Sequence, residues 1–199
     1  MSVTVTVKIG VLNVQGAVSE HVDHVKWVDA EPVLVKHADD LVDLHGLIIP
    51  GGESTTIGKL IRKYGLFEPI IESAQGGMPL FGTCAGMILL AKKIEGHEEP
   101  HLALMDVVVN RNSFGRQRES FEADIEVQGI SDGLFPAVFI RAPHVVAADQ
   151  GVKVLATLDG RIVAVQQNHL LAAAFHPELT EDVRMHGYFK RLAEQYQAK

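Results

Sequence analysis

The sequence contains very little cysteine, because Cys84 is the only one in 199 residues. A single cysteine cannot form a disulfide within the chain, which suits a reducing compartment. The amino-terminal segment has no basic stretch followed by an apolar one, so no signal peptide is expected. The longest nearly apolar stretch, residues 78–91, is shorter than the roughly 20 residues that span a bilayer. We therefore expect a soluble, cytoplasmic protein.

Positive charge is also scarce. The chain has 18 Lys and Arg against 25 Asp and Glu, which gives a formal net charge of −7. Because no basic stripe offers itself to phosphates, the composition argues against a general nucleic-acid binder. The short mixed-charge segment 115–119 is interpreted as a solvated surface turn.

Repeats, low-complexity segments and linkers are absent, and 47% of the residues are apolar, so we expect one domain over residues 1–199. In the first half, strand-like runs alternate with helical patterns, which predicts an α/β fold with a mainly parallel sheet flanked by helices. Successive strand patterns from about residue 107 to 175, with the hairpin signal Asp159-Gly160, predict an antiparallel extension. The predicted strands lie at 5–14, 32–36, 47–49, 78–81, 107–110, 121–127, 138–141, 152–158, 161–166 and 170–175.

Cys84 lies in a segment typical of a nucleophile elbow, Gly82-Thr83-Cys84-Ala85-Gly86. A strand-like run precedes it and a helix-like run follows, and so tight a turn requires glycine on either side of the nucleophile. A helix that begins at the sulfur directs free N–H groups toward it, as in reactive cysteines. A lone cysteine is most often only a small buried apolar residue.

A second element favours the catalytic interpretation. His176 ends the last predicted strand, and Glu178 follows two residues later, so both side chains can reach one pocket. Histidine is the usual base for a thiol, and a carboxylate usually orients it. Alternatively, His176 is a structural residue and Glu178 begins the last helix. Together with Cys84, the pair predicts a Cys-His-Glu triad for acyl transfer.

An oxyanion hole is expected beside this triad. The backbone N–H of Ala85 is its first donor, because it follows the nucleophile. The loop of Gly51 and Gly52 is the expected second donor, although alone it would be interpreted as an ordinary turn. Ligands of open α/β sheets bind beyond the carboxyl ends of the strands. Gln15, this loop, Cys84 and His176 all follow or end predicted strands, so we expect them to meet at one edge.

The segments Pro50-Gly51-Gly52-Glu53-Ser54, Gly82-Thr83-Cys84-Ala85-Gly86 and His176-Pro177-Glu178 together resemble the class I glutamine amidotransferases. More narrowly, residues 10–21, 52–56 and 139–143 resemble the glutaminase subunits of pyridoxal 5′-phosphate synthase, in length and motif order over essentially the whole chain. The resemblance implies that the thiol attacks the side-chain amide of L-glutamine, forms a glutamyl thioester and releases ammonia to a partner.

The resemblance also implies which residues bind glutamine: Gly52, Glu53, Ser54, Arg111, Ile140 and Arg141. A carboxylate suits arginine, and an ammonium suits carboxylate or carbonyl oxygens. Which arginine meets the carboxylate stays open, and without the resemblance both would be interpreted as surface ion-pair residues.

The implied partner is a synthase subunit that joins ammonia to a pentose phosphate and a triose phosphate within a large complex, with Gln15 and the first helix at the contact. No cofactor is expected in this chain, because pyridoxal phosphate is the product of the complex. The chain has no G-x-x-x-x-G-K-[ST] motif, which agrees with phosphosugars binding elsewhere.

Other interpretations remain open from sequence. The pairs His21/His24 and His97/His101 could bind a metal, but neither has a third convincing ligand, so no metal site is expected. The glutaminase could serve a related synthase, such as imidazole glycerol phosphate synthase. The chain could also be a non-catalytic regulatory subunit or a thiol hydrolase that acts alone.

Overall fold

The computed structural model describes residues 6–96, 99–114 and 119–198. Its strands are β1 (Lys8–Leu12), β2 (Glu31–Val35), β3 (Gly46–Ile49), β4 (Leu80–Thr83), β5 (Ala91–Ile94), β6 (Met105–Asn110), β7 (Ser120–Ile125), β8 (Phe135–Ile140), β9 (His144–Ala148), β10 (Lys153–Leu158), β11 (Arg161–Gln167) and β12 (Leu170–Ala173). Its α-helices are α1 (Val18–Trp27), α2 (Ser54–Lys63), α3 (Phe67–Gln75), α4 (Ala85–Leu90) and α5 (Arg184–Gln197), and 3₁₀ turns lie at Ala38–Leu41 and Pro177–Leu179.

Ten strands form one mixed sheet in the order β2-β1-β3-β4-β12-β11-β9-β6-β5, with β10 paired to β11. The five strands from β2 to β12 are parallel. Beyond β12, the strands β11, β9 and β6 pair antiparallel, and β5 pairs parallel with β6. Strands β7 and β8 form a separate antiparallel pair. This confirms the predicted α/β class with its antiparallel extension.

Apolar residues from both parts of the sheet pack into one core. The parallel strands β3, β4 and β12 are buried along their whole length, as expected for strands covered on both faces. Helix α5 contributes the predicted stripe, with Met185 and Phe189 buried and Leu192 and Tyr196 partly buried against the core. The Asp159-Gly160 hairpin joins β10 to β11 as predicted.

Among the described strands and α-helices, three have no counterpart in the sequence-based prediction, namely α3, β5 and β9. Helix α3 has Pro69 inside its amino-terminal turn, where proline is tolerated but obscures the helical pattern. Strand β5 follows α4 directly, without a glycine or proline to mark the change. Strand β9 pairs with β6 through an irregular register, and it follows Pro143 closely. Local signals at all three positions are weak.

Candidate active site

The turn at Cys84 has the strained geometry of a nucleophile elbow. Strand β4 ends one residue before Cys84, helix α4 begins one residue after it, and Cys84 itself has φ 49° and ψ −105°. Its backbone N–H donates to the carbonyl of Ala173 at 2.8 Å, which attaches the elbow to β12. A Cβ atom at Gly86 would collide with the carbonyl of Ile49, and one at Gly82 would collide with Gly86 itself. Sterics therefore require both glycines.

His176 and Glu178 lie beside the elbow, directly after β12. The His176 backbone N–H donates to the carbonyl of Val138 at 2.8 Å, and Pro177 begins a 3₁₀ turn that brings Glu178 back toward the ring. The Nδ1 of His176 lies 2.7 Å from Oε1 of Glu178. Both side chains are buried. The carboxylate thus fixes the ring so that Nε2 is left for the thiol.

Burial and hydrogen bonding have opposite effects on the pKa values of His176 and Glu178. Burial alone would lower the pKa of His176, but the hydrogen bonds to Cys84 and Glu178, together with their charges, raise it from 6.5 to about 10. Burial would raise the pKa of Glu178, but the nearby His21 and the hydrogen bond from His176 lower it. An imidazolium beside a carboxylate is therefore the stable state at neutral pH.

The glycine loop after β3 closes one side of the site. A Cβ atom at Gly51 would lie 2.6 Å from Cε1 of His176 and 3.3 Å from Cβ of Cys84, so only glycine lets the loop approach the ring this closely. The Oε1 of Gln15 accepts a hydrogen bond from the Glu53 N–H at 3.0 Å. The four predicted segments thus meet at one edge of the sheet, and Gln15 holds the glycine loop through this hydrogen bond.

A cavity of about 540 Å³ opens in front of Cys84 and His176, a volume that suits a free amino acid. All six residues that the resemblance implies as glutamine ligands line this cavity: Gly52, Glu53, Ser54, Arg111, Ile140 and Arg141. Ala85 also lines the cavity, whereas Gly51 is not part of its wall and lies against the His176 ring and Cys84. Two lining residues, Ile88 and Asn112, were missed. Ile88 has the same apolar pattern as a core residue, and only the proximity of Asn112 to Arg111 could have indicated it.

Polar groups in this cavity hold one another in place through hydrogen bonds. The Arg111 guanidinium donates to Ser54 Oγ at 2.8 Å and to Glu53 Oε1 at 3.2 Å. Glu53 also caps α2 by accepting from the N–H groups of Thr55 and Thr56 at 3.0 and 2.7 Å. The hydroxyl of Thr56 and these N–H groups outweigh desolvation and lower the pKa of Glu53 from 4.5 to about 2. Glu53 thus offers an anion, and Arg111 a cation, to the cavity.

The histidine pairs considered for metal binding have other contacts. His21 contacts His186 and Thr83, and His24 contacts the carbonyls of Glu20 and Thr180. His97 lies outside the described residues, as do residues 115–118 of the mixed-charge segment. Across residues 6–96, 99–114 and 119–198, no three His, Cys, Asp or Glu side chains are grouped to hold a metal ion. None of the helices in this part of the chain is long and apolar enough to cross a membrane.

The fold places the chain in the glutamine amidotransferase class. A crystal structure of a glutamine amidotransferase matches it with a TM-score of 0.89 and 49% identity, covering 94% of this chain and 98% of that one. One chain in the structure of PurLQS from Thermotoga maritima has the same fold, with a TM-score of 0.68 at 18% identity over 96% of this chain and 97% of that one.

Sequence comparison is more specific. The model of the SNO glutamine amidotransferase family matches residues 11–195, and the chain belongs to this family. It is 57% identical to the pyridoxal 5′-phosphate synthase subunit PdxT of Geobacillus kaustophilus (strain HTA426), over 94% of this chain and 95% of that protein. It is 58% identical to the PdxT subunit of Geobacillus stearothermophilus, over 92% of each chain. The resemblance found in the motifs is confirmed.

Proposed function

We propose that this chain hydrolyses L-glutamine to glutamate and ammonia, with Cys84 as nucleophile, His176 as base and acid, and Glu178 as the group that orients His176. The observation that carries the proposal is the strained Cys84 turn beside the buried His176–Glu178 pair, at the wall of a cavity with an anion and a cation preplaced. Family membership supports the same chemistry.

The reaction follows from this geometry. His176 takes the thiol proton, and the sulfur of Cys84 attacks the amide carbon of glutamine. The tetrahedral intermediate collapses as His176 returns the proton to the leaving nitrogen, which releases ammonia and leaves a glutamyl thioester. Water, deprotonated by His176, then attacks the thioester carbon; the C–S bond breaks, glutamate leaves, and His176 returns the proton to the sulfur of Cys84. The N–H of Ala85 and the loop of Gly51 and Gly52 are proposed to stabilise the oxyanion.

Glutamine would be held through its amino-acid head group. We assign the carboxylate to an arginine of the cavity and the ammonium to the Glu53 carboxylate and nearby carbonyl oxygens. Gly52, Ser54 and Ile140 complete the proposed contact surface. Arg141 also lies on the cavity wall, which makes it the second candidate for the carboxylate. Its backbone has a positive φ of 42°.

Replacing Arg111 by glutamine tests this assignment. Because Arg111 holds Ser54 and Glu53 rather than the catalytic triad, the KM for glutamine is expected to rise by about 10-fold to 100-fold with little change in kcat. The matched control is Arg62→Gln, since Arg62 packs over the ring of Phe67 outside the cavity. Steady-state glutamate release gives both constants. A KM at the wild-type value would contradict a role for Arg111 in binding glutamine.

The ammonia acceptor is inferred to be a synthase subunit of pyridoxal 5′-phosphate synthase, which joins this chain in a large hetero-oligomer. The name shared by relatives above 50% identity supports it. Gln15 and the start of α1 are proposed at the contact, because Gln15 lies where the glycine loop meets the first strand. We further propose that residues 1–199 form one glutaminase domain, and that the protein is cytoplasmic, where the free Cys84 thiol stays reduced.

The test is glutamate release from L-glutamine by this chain alone and with the synthase from the same source. Strong stimulation by the synthase is expected, together with pyridoxal 5′-phosphate formation when both sugar phosphates are supplied. Full activity of the isolated chain would instead indicate an independent thiol hydrolase. Absence of activity in both mixtures would favour a non-catalytic regulatory role.

A further inference from the structure

A buried row of histidines lies behind the Glu178 carboxylate, on the side away from the cavity. His21 of α1 and His186 of α5 are 0% and 1% exposed. The Nδ1 of His21 is 2.9 Å from Nε2 of His186, and its Nε2 is 3.1 Å from Oγ1 of Thr83. The same Nε2 is 3.5 Å from Oε2 of Glu178. The row therefore runs from α5 through α1 to the carboxylate that orients His176, and the reaction outlined above makes no use of it.

One oxygen of Glu178 lacks a firm partner. Oε1 bonds to His176, whereas Oε2 is buried and has no hydrogen bond among the described residues. Leaving a buried carboxylate oxygen without a hydrogen bond is costly, so a donor close to Oε2 would stabilise the ionised carboxylate. The Nε2 of His21 lies just beyond hydrogen-bond distance and needs only a small ring movement to reach Oε2.

The hydrogen-bond partners of His21 and His186 determine which ring nitrogens carry protons. Burial lowers the pKa of His21 to about 4 and the pKa of His186 well below 6.5, so both rings are neutral at neutral pH. Because Nδ1 of His21 lies within hydrogen-bond distance of Nε2 of His186, one of these two nitrogens must carry a proton. The other ring nitrogen of His186, Nδ1, has no hydrogen-bond partner among the described residues. An unpaired lone pair at Nδ1 is a smaller loss than an unpaired N–H. His186 therefore donates from Nε2 to Nδ1 of His21, and His21 presents its Nε2–H toward Thr83 and Glu178.

We propose that His21 is a positioning residue for the glutaminase reaction: its Nε2–H holds the second oxygen of Glu178, so that the first stays aimed at His176. A carboxylate bonded through one oxygen can still rotate, whereas a donor on each oxygen fixes its plane. His186 serves by fixing the tautomer of His21. The inference rests on the proposed function, because it assigns His21 a part in that reaction.

Loss of the His21 donor is expected to change the pH dependence of activity in one direction only. The titratable groups that act on His21 are Glu178, His24, His176, Glu20 and His186. A donor to the ionised carboxylate lowers the pKa of Glu178, so removing that donor raises it. Activity that needs the carboxylate is lost as pH falls through this pKa. The acid limb of the kcat/KM profile therefore moves to higher pH when His21 loses its N–H.

The experiment uses the full chain in complex with its synthase, and compares the wild type with the variant His21→Leu. We expect kcat to fall by about 10-fold to 100-fold, as for one lost hydrogen bond to a charged group, with KM unchanged and the acid limb at higher pH. The variant His21→Gln keeps an amide donor near the Nε2 position and is expected to recover most of the activity. His24→Leu is the matched control, because His24 is equally buried on the same helix but its ring nitrogens contact backbone carbonyls.

Two results would overturn the inference: a folded His21→Leu variant with wild-type kcat and acid limb, or an equal loss in His24→Leu. Nitrogen NMR of histidine-labelled protein adds a readout that needs no activity. It should find His21 neutral with its proton on Nε2, and the His176 ring signals should shift in His21→Leu only. If His21→Leu does not fold, a wild-type His21 that is protonated, or that carries its proton on Nδ1, overturns the inference. An inactive wild-type complex would instead overturn the proposed function.

Discussion

Replacing Cys84 by serine is expected to reduce glutamine hydrolysis by the assembled complex by at least about 10⁴-fold, the scale seen when a nucleophile of this type is removed. A hydroxyl holds its proton much more tightly than a thiol does. In the wild type, the hydrogen bond and the charge of Cys84 help to raise the pKa of His176 to about 10, and a serine hydroxyl, which keeps its proton, supplies no such charge. The hydroxyl must therefore give up its proton during the attack itself, which slows the reaction. The oxyanion donors and the cavity remain, so glutamine binding is expected to persist.

Because Cys84 is the only cysteine of this chain, any alkylation of the chain, measured by mass spectrometry after the subunits are separated, reports on Cys84. Iodoacetamide should inactivate the wild-type complex in step with the incorporation of one group per chain, and prior addition of glutamine should slow the reaction. The variant should take up none. Its melting temperature and its binding to the synthase should match the wild type, since serine is of similar size. Retained hydrolysis in a folded Cys84→Ser variant would contradict the proposed mechanism.

The part of the site that the sequence predicts is the part fixed by local constraints. The elbow requires Gly82 and Gly86 because backbone atoms occupy the space of their side chains. The loop of Gly51 and the turn after β12 reach the elbow because β3, β4 and β12 are adjacent and parallel, so their carboxyl ends share one edge. A strand–turn pattern therefore predicts both the residues and their meeting place.

Contacts between distant segments are what the sequence does not predict. His21 and His186 are separated by 165 positions, and neither lies in a recognisable motif with the other. On α1, His21 and His24 follow the apolar periodicity of the helix and could equally have been a metal pair. Only the packing of α1 and α5 behind β4 gives His21 its contact with Glu178. The unpredicted strand β9 has the same origin, since its pairing with β6 and β11 is decided by tertiary contacts.

Replacing Glu178 by glutamine is expected to give the second largest loss, about 10²-fold to 10⁴-fold in kcat. The amide has the same shape but no charge, and it can present an N–H to the ring where the carboxylate accepted one. Without the charge and the accepted hydrogen bond of Glu178, only Cys84 still opposes the effect of burial, so the pKa of His176 falls from its value of about 10. The imidazolium that protonates the leaving nitrogen is then lost at lower pH, so the alkaline limb of the kcat/KM profile moves down in pH.

The control for this change is Glu181→Gln, an exposed carboxylate three residues further along the chain. It alters the net charge by the same amount without contact with the ring, so a shift caused by overall charge would appear in both variants. The pH profiles must be measured on the assembled complex, with folding checked at each pH. An alkaline limb that stays in place in Glu178→Gln would mean that Cys84 alone maintains the charge of His176. The carboxylate would then serve only to aim the ring, and a loss in kcat without a shift in the profile would separate that geometric role from the electrostatic one.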